Sequence, residues 1–310
     1  MSDPQCAADV LMIRPASFCA NPQTAASNAF QSRLTMVPDA QKHALAEFNG
    51  LVQVLRSADV GVHVFDEASA HQTPDALFPN NWVSFHADGA IALYPMLAPN
   101  RRAERRSDIL NTLTDSLGFR AKRLVDLTHH ENAAHYLEGT GSLVLDRQHR
   151  IAYACLSPRT HINPLREYAA LLGYEVVAFE AFDAKGAPIY HTNVLLSIGE
   201  RYAAICIDAV RADQRSLVID KLRSAGQDIV ELSHAQMNAF AGNILQLATK
   251  SGGRIVALSD RALTALSPEQ RERLQTLAGP LVTAPIPTIE TLGGGSVRCM
   301  LAEIHLPRSA

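Results

Sequence analysis

The sequence has no strong excess of charge. Its 310 residues include 28 lysines and arginines and 31 aspartates and glutamates, which give a net charge of −3 with the histidines neutral. Nucleic acids and anionic membrane surfaces select basic patches, so this balance favours neither partner. One basic run, Arg101 to Arg106, contains an acid and begins a predicted amphipathic helix over Arg102–Leu117. We interpret the run as a solvated helical face.

Long apolar runs and paired cysteines are also missing. No run approaches the ~18 apolar residues of a membrane span, and Met1 to Val10 lacks the features of a secretory signal. The cysteines are odd in number and form no CxxC pair or other metal-binding pattern: they are Cys6, Cys19, Cys155, Cys206 and Cys299. These absences predict a reduced, cytoplasmic protein without a metal site or a membrane partner.

What the sequence does contain is a recurring order of short elements. A hairpin, a helix and a third strand follow one another about five times, at a spacing of roughly 50–60 residues. The C-terminal segment Ser296–Leu306 could pair with Val10–Ile13 and so leave no exposed sheet edge. The pattern predicts an α/β fold in which pseudo-fivefold ββαβ repeats surround a central cavity, as one domain over residues 1–310.

Polar segments precede the hairpins at corresponding points of the repeats, and we expect them to converge on the cavity. They are Phe78–Trp82, Tyr136–Gly141, Tyr190–Asn193, Gly242–Asn243 and the glycine-rich loop that runs from Gly293 to Cys299. Glycines such as Gly294 let the backbone adopt positive φ and approach a ligand closely. This loop should therefore present Cys299 to the cavity.

Three residues of these segments could together carry out nucleophilic catalysis. A deprotonated Cys299 is a strong nucleophile, His191 could take its proton and later pass one to a leaving amine, and Glu138 could orient that histidine. Each residue alone also has an ordinary structural interpretation. A free cysteine is usually a small buried hydrophobe, and single histidines and glutamates commonly have structural or solvated positions.

In combination, the segments resemble the guanidino-group modifying enzymes, which include arginine deiminases, dimethylarginine hydrolases and amidinotransferases. The resemblance covers essentially the whole chain and is strongest to the bacterial citrulline-utilisation hydrolases. It rests on Phe78-Pro79-Asn80-Asn81-Trp82, Glu138-Gly139-Thr140-Gly141-Ser142, His191-Thr192-Asn193 and Gly293-Gly294-Gly295-Ser296-Val297-Arg298-Cys299-Met300. It implies the five-bladed α/β propeller, or pentein fold, and a cofactor-independent reaction. It also implies Cys299 as nucleophile, His191 as general acid and base, and Glu138 as its partner.

Two departures from this family concern the substrate. Arginine-acting members commonly have aspartates where this chain has Asn81 and Asn193. Carboxylates pair well with a guanidinium cation, whereas burial of that cation beside amides leaves its charge uncompensated. The asparagines therefore favour a neutral ureido substrate, although both could be simple turn residues.

These features predict hydrolysis of citrulline to ornithine, ammonia and carbon dioxide through an S-carbamoyl intermediate on Cys299. Arg14, Asn21 in the loop Phe18–Phe30, and Arg298 are candidate ligands for the amino-acid end of the substrate. The alternatives are a guanidine hydrolase of the arginine deiminase or dimethylargininase type, an amidinotransferase, and a non-catalytic propeller that binds a ligand. The oligomeric state remains open.

Three further histidines lie near the ends of predicted strands. They are His86 and the neighbouring pair His129 and His130. We expect surface or supporting roles for them, because no carboxylate cluster accompanies the pair to form a metal site.

Overall fold

The structure is a computed structural model and describes residues 3–31, 37–68 and 73–308. Its strands are β1 (Asp9–Arg14), β2 (Gly61–Asp66), β3 (Val83–Phe85), β4 (Ala90–Leu93), β5 (Arg123–Asp126), β6 (Val144–Asp146), β7 (Ile151–Cys155), β8 (Glu175–Phe179), β9 (Leu196–Ile198), β10 (Tyr202–Ile205), β11 (Asp228–Glu231), β12 (Leu245–Ala248), β13 (Arg254–Ser259), β14 (Leu281–Ala284) and β15 (Ala302–Glu303).

Helices connect these strands and cover the sheets. They are α1 (Ala40–Ser57), α2 (Pro99–Arg102), α3 (Ser107–Asp115), α4 (Gly139–Ser142), α5 (Ile162–Leu172), α6 (Thr192–Leu195), α7 (Arg215–Ser224), α8 (His234–Asn238), α9 (Asp260–Ala265), α10 (Pro268–Ala278) and α11 (Pro287–Gly293). Short 3₁₀ helices lie at Pro79–Asn81, Thr128–Ala133, Ile207–Ala209, Ala212–Gln214 and Val297–Met300.

The strands form five three-stranded sheets of one design. In each sheet the middle strand pairs antiparallel with one neighbour and parallel with the other. A helix-containing crossover joins the two parallel strands, as such a connection requires. The first sheet takes β15 from the C-terminal part of the chain, with Val10 opposite Glu303. The predicted pairing of the two ends of the sequence is confirmed.

Apolar clusters connect each sheet to the next. Leu11 and Trp82 belong to a cluster shared by the first and second sheets, and Ala92 and Ala154 to one shared by the second and third. A larger cluster spans the third, fourth and fifth sheets. Another contains residues of the fifth sheet together with β1 of the first. Burial of apolar side chains thus joins the five sheets in a closed series.

A short turn precedes the outer antiparallel strand of each sheet. The Pro79–Asn81 turn packs against α4 and against the Val297–Met300 turn, and α4 also packs against α6. The residues Phe240–Asn243 have the same position before β12. This arrangement brings the polar segments singled out in the sequence to one place.

The predicted helix Arg102–Leu117 is wrong in its extent. Two helices replace it, α2 and α3, with an extended Arg106 between them. The interpretation of the basic run as a solvated face is also wrong, because Arg101 is only 2% exposed. Its guanidinium is turned inward, where Glu104 satisfies it with two hydrogen bonds. Among the described residues, no helix combines the length and apolar character needed to cross a membrane.

Candidate active site

A histidine and a carboxylate are joined directly in the interior. His191 lies just before α6 and Glu138 just before α4, and the two side chains are almost completely buried. Nε2 of His191 is 2.9 Å from Oε2 of Glu138. A Cβ on Gly141 would lie 2.7 Å from Nδ1 of His191, so only glycine allows α4 to approach the imidazole. Gly141 thus allows the histidine to pack closely against α4, and Gly139 allows the same helix to approach the backbone of Asn80.

Cys299 lies in the Val297–Met300 turn between two asparagine side chains. Nδ2 of Asn243 is 3.3 Å from its sulfur, and Nδ2 of Asn193 is 3.6 Å from it. Asn243 also donates to the carbonyl of Asn193, which fixes the orientation of its amide. The two amide groups can stabilise negative charge on the sulfur.

The cavity beside the thiol also contains positive charge. Arg159 lies 3.3 Å from Oε2 of Glu138 and donates to Ser27 Oγ and to the carbonyl of Thr24. Arg101 donates to Oδ1 of Asn81 at 2.8 Å. Both arginines line the same cavity as His191 and Cys299.

Asp75 is the one carboxylate that lines this cavity among the described residues. Its Oδ2 accepts a hydrogen bond from Asn21 at 2.8 Å, whereas its buried Oδ1 has no partner in the described part of the chain. An unpaired carboxylate oxygen is costly to bury. It is therefore suited to a donor on a bound molecule.

The loop from Phe18 to Gln31 closes one side of the cavity. Besides its contacts to Asp75 and Arg159, it provides Asn28, whose Nδ2 donates to the carbonyls of Gly293 and Gly294. The hydroxyl of Tyr190 donates to the Gly294 carbonyl at 2.6 Å. Gly294 has φ of +63°, a conformation that favours glycine. These contacts hold the glycine loop in place beside Cys299.

The protonation states of His191 and Glu138 follow from their surroundings. Burial lowers the pKa of His191 to about 4, although its hydrogen bond to Glu138 opposes the shift. Burial alone would raise the pKa of Glu138. The positive charge of Arg159 and the hydrogen bond from His191 outweigh it and hold this pKa well below its usual range. At neutral pH the imidazole is neutral and the carboxylate ionised, so Nε2 donates and Nδ1 is free to accept a proton.

The structure brings most of the predicted site residues together. One cavity is lined by His191, Asn81, Gly294 and Cys299. Asn193 contacts the thiol of Cys299. Glu138 and Asn21 hold two of the lining residues in place, through hydrogen bonds to His191 and to Asp75.

The structure does not bring Arg14 and Arg298 to the cavity, and neither fits the predicted role as a substrate ligand. Arg14 is paired with Asp66 at the surface. Arg298 is turned away from Cys299 and pairs with Glu303 at 2.8 Å. It lines a different, polar cavity together with Arg147 and Glu303. Consecutive residues of a tight turn point in different directions, so the neighbour of a nucleophile need not share its cavity.

Sequence reasoning missed Arg101, Arg159 and Asp75. Arg101 was hidden within a run typical of a helix surface, and Arg159 lies in a turn after β7 without a recognisable motif. Asp75 gave one signal, since it precedes the Phe78–Trp82 segment by three residues. The role of Asn243 was missed as well, although its segment was expected at the cavity.

Comparison with known proteins identifies a family. The family model described as N,N dimethylarginine dimethylhydrolase, eukaryotic, matches residues 14–306. The chain has no significant match among curated proteins.

Solved structures with the same fold are similar over nearly the whole chain. One is apo ArgZ, an arginine dihydrolase from the ornithine-ammonia cycle in Cyanobacteria, with a TM-score of 0.74 and 18% identity over 97% of this chain. The chain spans 41% of ArgZ. It spans 99% of the N-terminal domain of ArgZ, whose structure bound to substrate gives a TM-score of 0.72. A dimethylarginine dimethylaminohydrolase variant, as an adduct with S-methyl-L-thiocitrulline, gives 0.66 at 16% identity, covering 98% of this chain and 100% of that one. At such identities the likeness shows the fold.

Proposed function

Because the chain belongs to the N,N-dimethylarginine dimethylhydrolase family, we propose that Cys299, His191 and Glu138 are its catalytic residues. The family cleaves carbon–nitrogen bonds other than peptide bonds, and this protein is an enzyme of that class. One observation carries the assignment of residues: a histidine bonded to a buried carboxylate lines the same cavity as a thiol held between two amides. Nucleophile, base and orienting group are the parts that covalent catalysis needs.

The first half of the reaction forms a covalent intermediate. His191 accepts the thiol proton at Nδ1, and the Cys299 sulfur attacks the central carbon of the substrate. The side-chain amides of Asn193 and Asn243, at 3.6 and 3.3 Å from the sulfur, stabilise the thiolate. With citrulline, the bond from the carbon to the chain nitrogen breaks. Ornithine leaves with the proton that His191 returns, and the carbamoyl group stays on the sulfur.

The second half of the reaction releases that group. His191 takes a proton from water, the resulting hydroxide attacks the carbamoyl carbon, and the carbon–sulfur bond breaks as the sulfur regains a proton from His191. The carbamic acid that is released decomposes to ammonia and carbon dioxide, so one citrulline and one water give one ornithine, one ammonia and one carbon dioxide. Glu138 stabilises the imidazolium that forms in each half, because its charge lies 2.9 Å from Nε2.

The choice of a neutral substrate rests on the charges around the thiol. The amides of Asn193 and Asn243 contact the sulfur, and Asn81 lines the same cavity. Glu138 is already paired with Arg159 and His191. A guanidinium there would have little negative charge to compensate its loss of water. A ureido group needs only hydrogen-bond donors and acceptors, which amides provide.

The amino-acid end of the substrate has suitable partners among the charged residues that line the same cavity. Arg159 keeps one donor hydrogen beyond its contacts to Glu138, Ser27 and Thr24, and with its charge this hydrogen can attract a carboxylate. The unpaired Oδ1 of Asp75 can accept from an ammonium group. We assign these two residues in place of Arg14 and Arg298. Asn21 then acts by holding Asp75.

A guanidino substrate is the second candidate. Asp75 could instead pair with a guanidinium, and a structure of similar fold is that of an arginine dihydrolase. In that case attack by Cys299 expels ammonia first. An amidinotransferase would need a second amine in place of water. A non-catalytic binding module would not need His191 and Cys299 in one cavity.

The arrangement of the sheets, the single domain, the lack of a cofactor and the cellular setting are part of the same proposal. We infer that the five sheets are the blades of one five-bladed α/β propeller, because their apolar clusters form a closed series. The domain is single, and the reaction uses no cofactor. All five cysteines are free thiols, which supports the reduced, cytoplasmic setting that the composition predicts.

A side-by-side turnover assay tests the proposal. Purified protein is incubated with L-citrulline or L-arginine, and ornithine, citrulline and ammonia are measured. We expect ornithine from citrulline, no turnover by Cys299→Ser, and unchanged turnover by His43→Gln, which alters an exposed side chain of α1. Turnover of arginine alone, lost in Cys299→Ser, would keep the catalytic residues but refute the neutral substrate. Turnover that survives Cys299→Ser would refute the mechanism.

A further inference from the structure

Two histidines and a glutamate form a cluster on the surface, outside the catalytic cavity. His129 and His130 lie in the Thr128–Ala133 turn after β5, and Glu167 lies on α5. Oε2 of Glu167 is 3.2 Å from Nε2 of His129 and 2.7 Å from Nε2 of His130. The three ligand atoms lie within 4.8 Å of one another. The prediction that no carboxylate joins this histidine pair is therefore wrong.

The hydrogen bonds of His129 show how its imidazole is oriented. Nδ1 lies 3.3 Å from the carbonyl oxygen of Asp126, which can only accept, so this contact orients Nδ1 as the donor. Nε2 is thereby turned toward the carboxylate oxygen of Glu167, where a bound cation would contact both atoms. A backbone carbonyl that binds the second nitrogen is also the usual way in which a metal-ligating histidine is oriented.

From this cluster we propose that His129, His130 and Glu167 bind one divalent transition-metal cation of the Zn²⁺, Co²⁺ or Ni²⁺ type. Two imidazoles and one carboxylate suit these ions better than Mg²⁺ or Ca²⁺, which prefer oxygen ligands. Bonds of about 2.0–2.2 Å in a tetrahedral site place neighbouring ligand atoms roughly 3.3 Å apart. The separation of Oε2 from Nε2 of His129, 3.2 Å, already matches this geometry, and its separation from Nε2 of His130, 2.7 Å, needs to widen by about 0.6 Å. His129 is 54% exposed, so water can complete the coordination.

A cation here would join helix α5 to a turn that is connected to the active site. The turn that carries His129 and His130 also contains Glu131, which pairs with Arg105 and accepts from the backbone nitrogen of Met96. The next residue, Leu97, donates to Oε1 of Glu138. Metal binding would therefore fix this turn against α5 and stabilise the folded state in proportion to the metal concentration above Kd.

Titration with Co²⁺ tests the site without reference to turnover. The full chain is first freed of metal with a chelator, and the absorption of bound Co²⁺ is followed together with thermal unfolding. We expect one equivalent to bind and to raise Tm. Each of His129→Gln, His130→Gln and Glu167→Gln should weaken binding by at least about tenfold, because each removes a direct ligand.

His43→Gln is the matched control, since it removes an exposed histidine of α1 that is not part of the cluster. It should bind Co²⁺ as the unaltered chain does. Absence of saturable binding to the unaltered chain would overturn the proposal. So would equal affinity in all the variants, or an intense thiolate-to-cobalt absorption that persists in them and assigns the ion to a cysteine. Because the readout is metal binding, its failure is independent of any failure of the proposed reaction.

Discussion

Asn243 is the side chain nearest to the reactive sulfur among its amide neighbours, and it makes a specific prediction possible. Its Nδ2 donates to Cys299 at 3.3 Å and to the Asn193 carbonyl at 3.0 Å. A hydrogen bond to a charged group contributes about 1.5–3 kcal/mol. We expect Asn243→Ala to lower kcat/KM by about 10–100-fold and to slow alkylation of Cys299, with little change in unfolding. Unchanged alkylation and turnover in the folded variant would remove Asn243 from the mechanism.

The pH dependence of turnover should report the unusual environment of His191. The imidazole must be unprotonated to accept the thiol proton, and burial lowers its pKa to about 4. Activity that depends on this group is present above that pKa and is lost as the pH falls through it. We expect kcat/KM to show an acid limb well below pH 6.5, the value of an ordinary histidine. An acid limb at or above pH 6.5 in the free enzyme would contradict the assignment.

At the residue scale, the sequence predicted which side chains meet at the cavity better than it predicted the charged groups around them. Cys299, His191 and Glu138 could be found because they follow glycines or precede strands at repeated positions of the chain. Arg101 and Arg159 could not be found in this way, because the sequence around an arginine does not show whether its guanidinium contacts solvent or a buried carboxylate. Only the three-dimensional position of Glu104 and Glu138 decides which of these occurs.

At the scale of elements, the glycine loop and helix α1 provide a matched pair of substitutions. Gly294 has φ of +63°, and a Cβ there would lie 2.5 Å from Nδ2 of Asn28. A Cβ added to Gly50, within α1, would have no other atom within 4 Å. We expect Gly294→Ala to destabilise the protein by about 2–4 kcal/mol and to impair turnover. Gly50→Ala should stabilise it by about 0.5–1 kcal/mol.

Denaturant unfolding and steady-state kinetics measure both effects. The prediction fails if the two variants are equally stable, or if Gly294→Ala retains full turnover. A Gly294→Ala variant that is stable but inactive would show that the conformation of this loop is needed for turnover and contributes little to the stability of the fold.

Elements of regular period were predictable, whereas the break between α2 and α3 was not. The residues from Arg102 to Leu117 have a helical pattern, and Ile109 and Leu113 do bury one face of α3. The break arises because the α2 segment turns inward, where Arg101 reaches Asn81 and Glu104. Tertiary contacts of a functional side chain outweigh the local helical preference.

At the scale of the whole molecule, the closure of the series of sheets was predictable from the ends of the chain. The first repeat lacks its antiparallel strand, and the segment after Cys299 has the pattern to supply it. The observed partners of β1 are β15 and β2. By contrast, the extent of the polar interior beyond the catalytic cavity was not predicted, since buried charged residues such as Arg147 and Glu303 cannot be told from surface ones by their local sequence.

That polar interior makes the protein sensitive to acid. His86 is 1% exposed, and burial together with the charge of Arg147 lowers its pKa well below 6.5. Burial likewise lowers the pKa values of His191 and His305 to about 4. Below pH 6.5 the unfolded chain therefore binds protons at these three histidines that the folded chain does not, and for His191 and His305 this window extends to about pH 4. The free energy of unfolding must then fall as the pH falls through this window.

Each such proton contributes about 1.4 kcal/mol per pH unit to that slope. Urea unfolding at several pH values from 7.5 to 4.5 measures the slope, and His86→Gln provides the comparison. A glutamine side chain can still form a hydrogen bond with Ser84, whose hydroxyl lies 2.9 Å from the imidazole, but it does not titrate. We expect a shallower decline in the variant, by up to one proton. Parallel declines in the two proteins would mean that His86 takes up its proton in the folded state. The acid sensitivity would then have to come from other buried groups, with His191 and His305 the first to test.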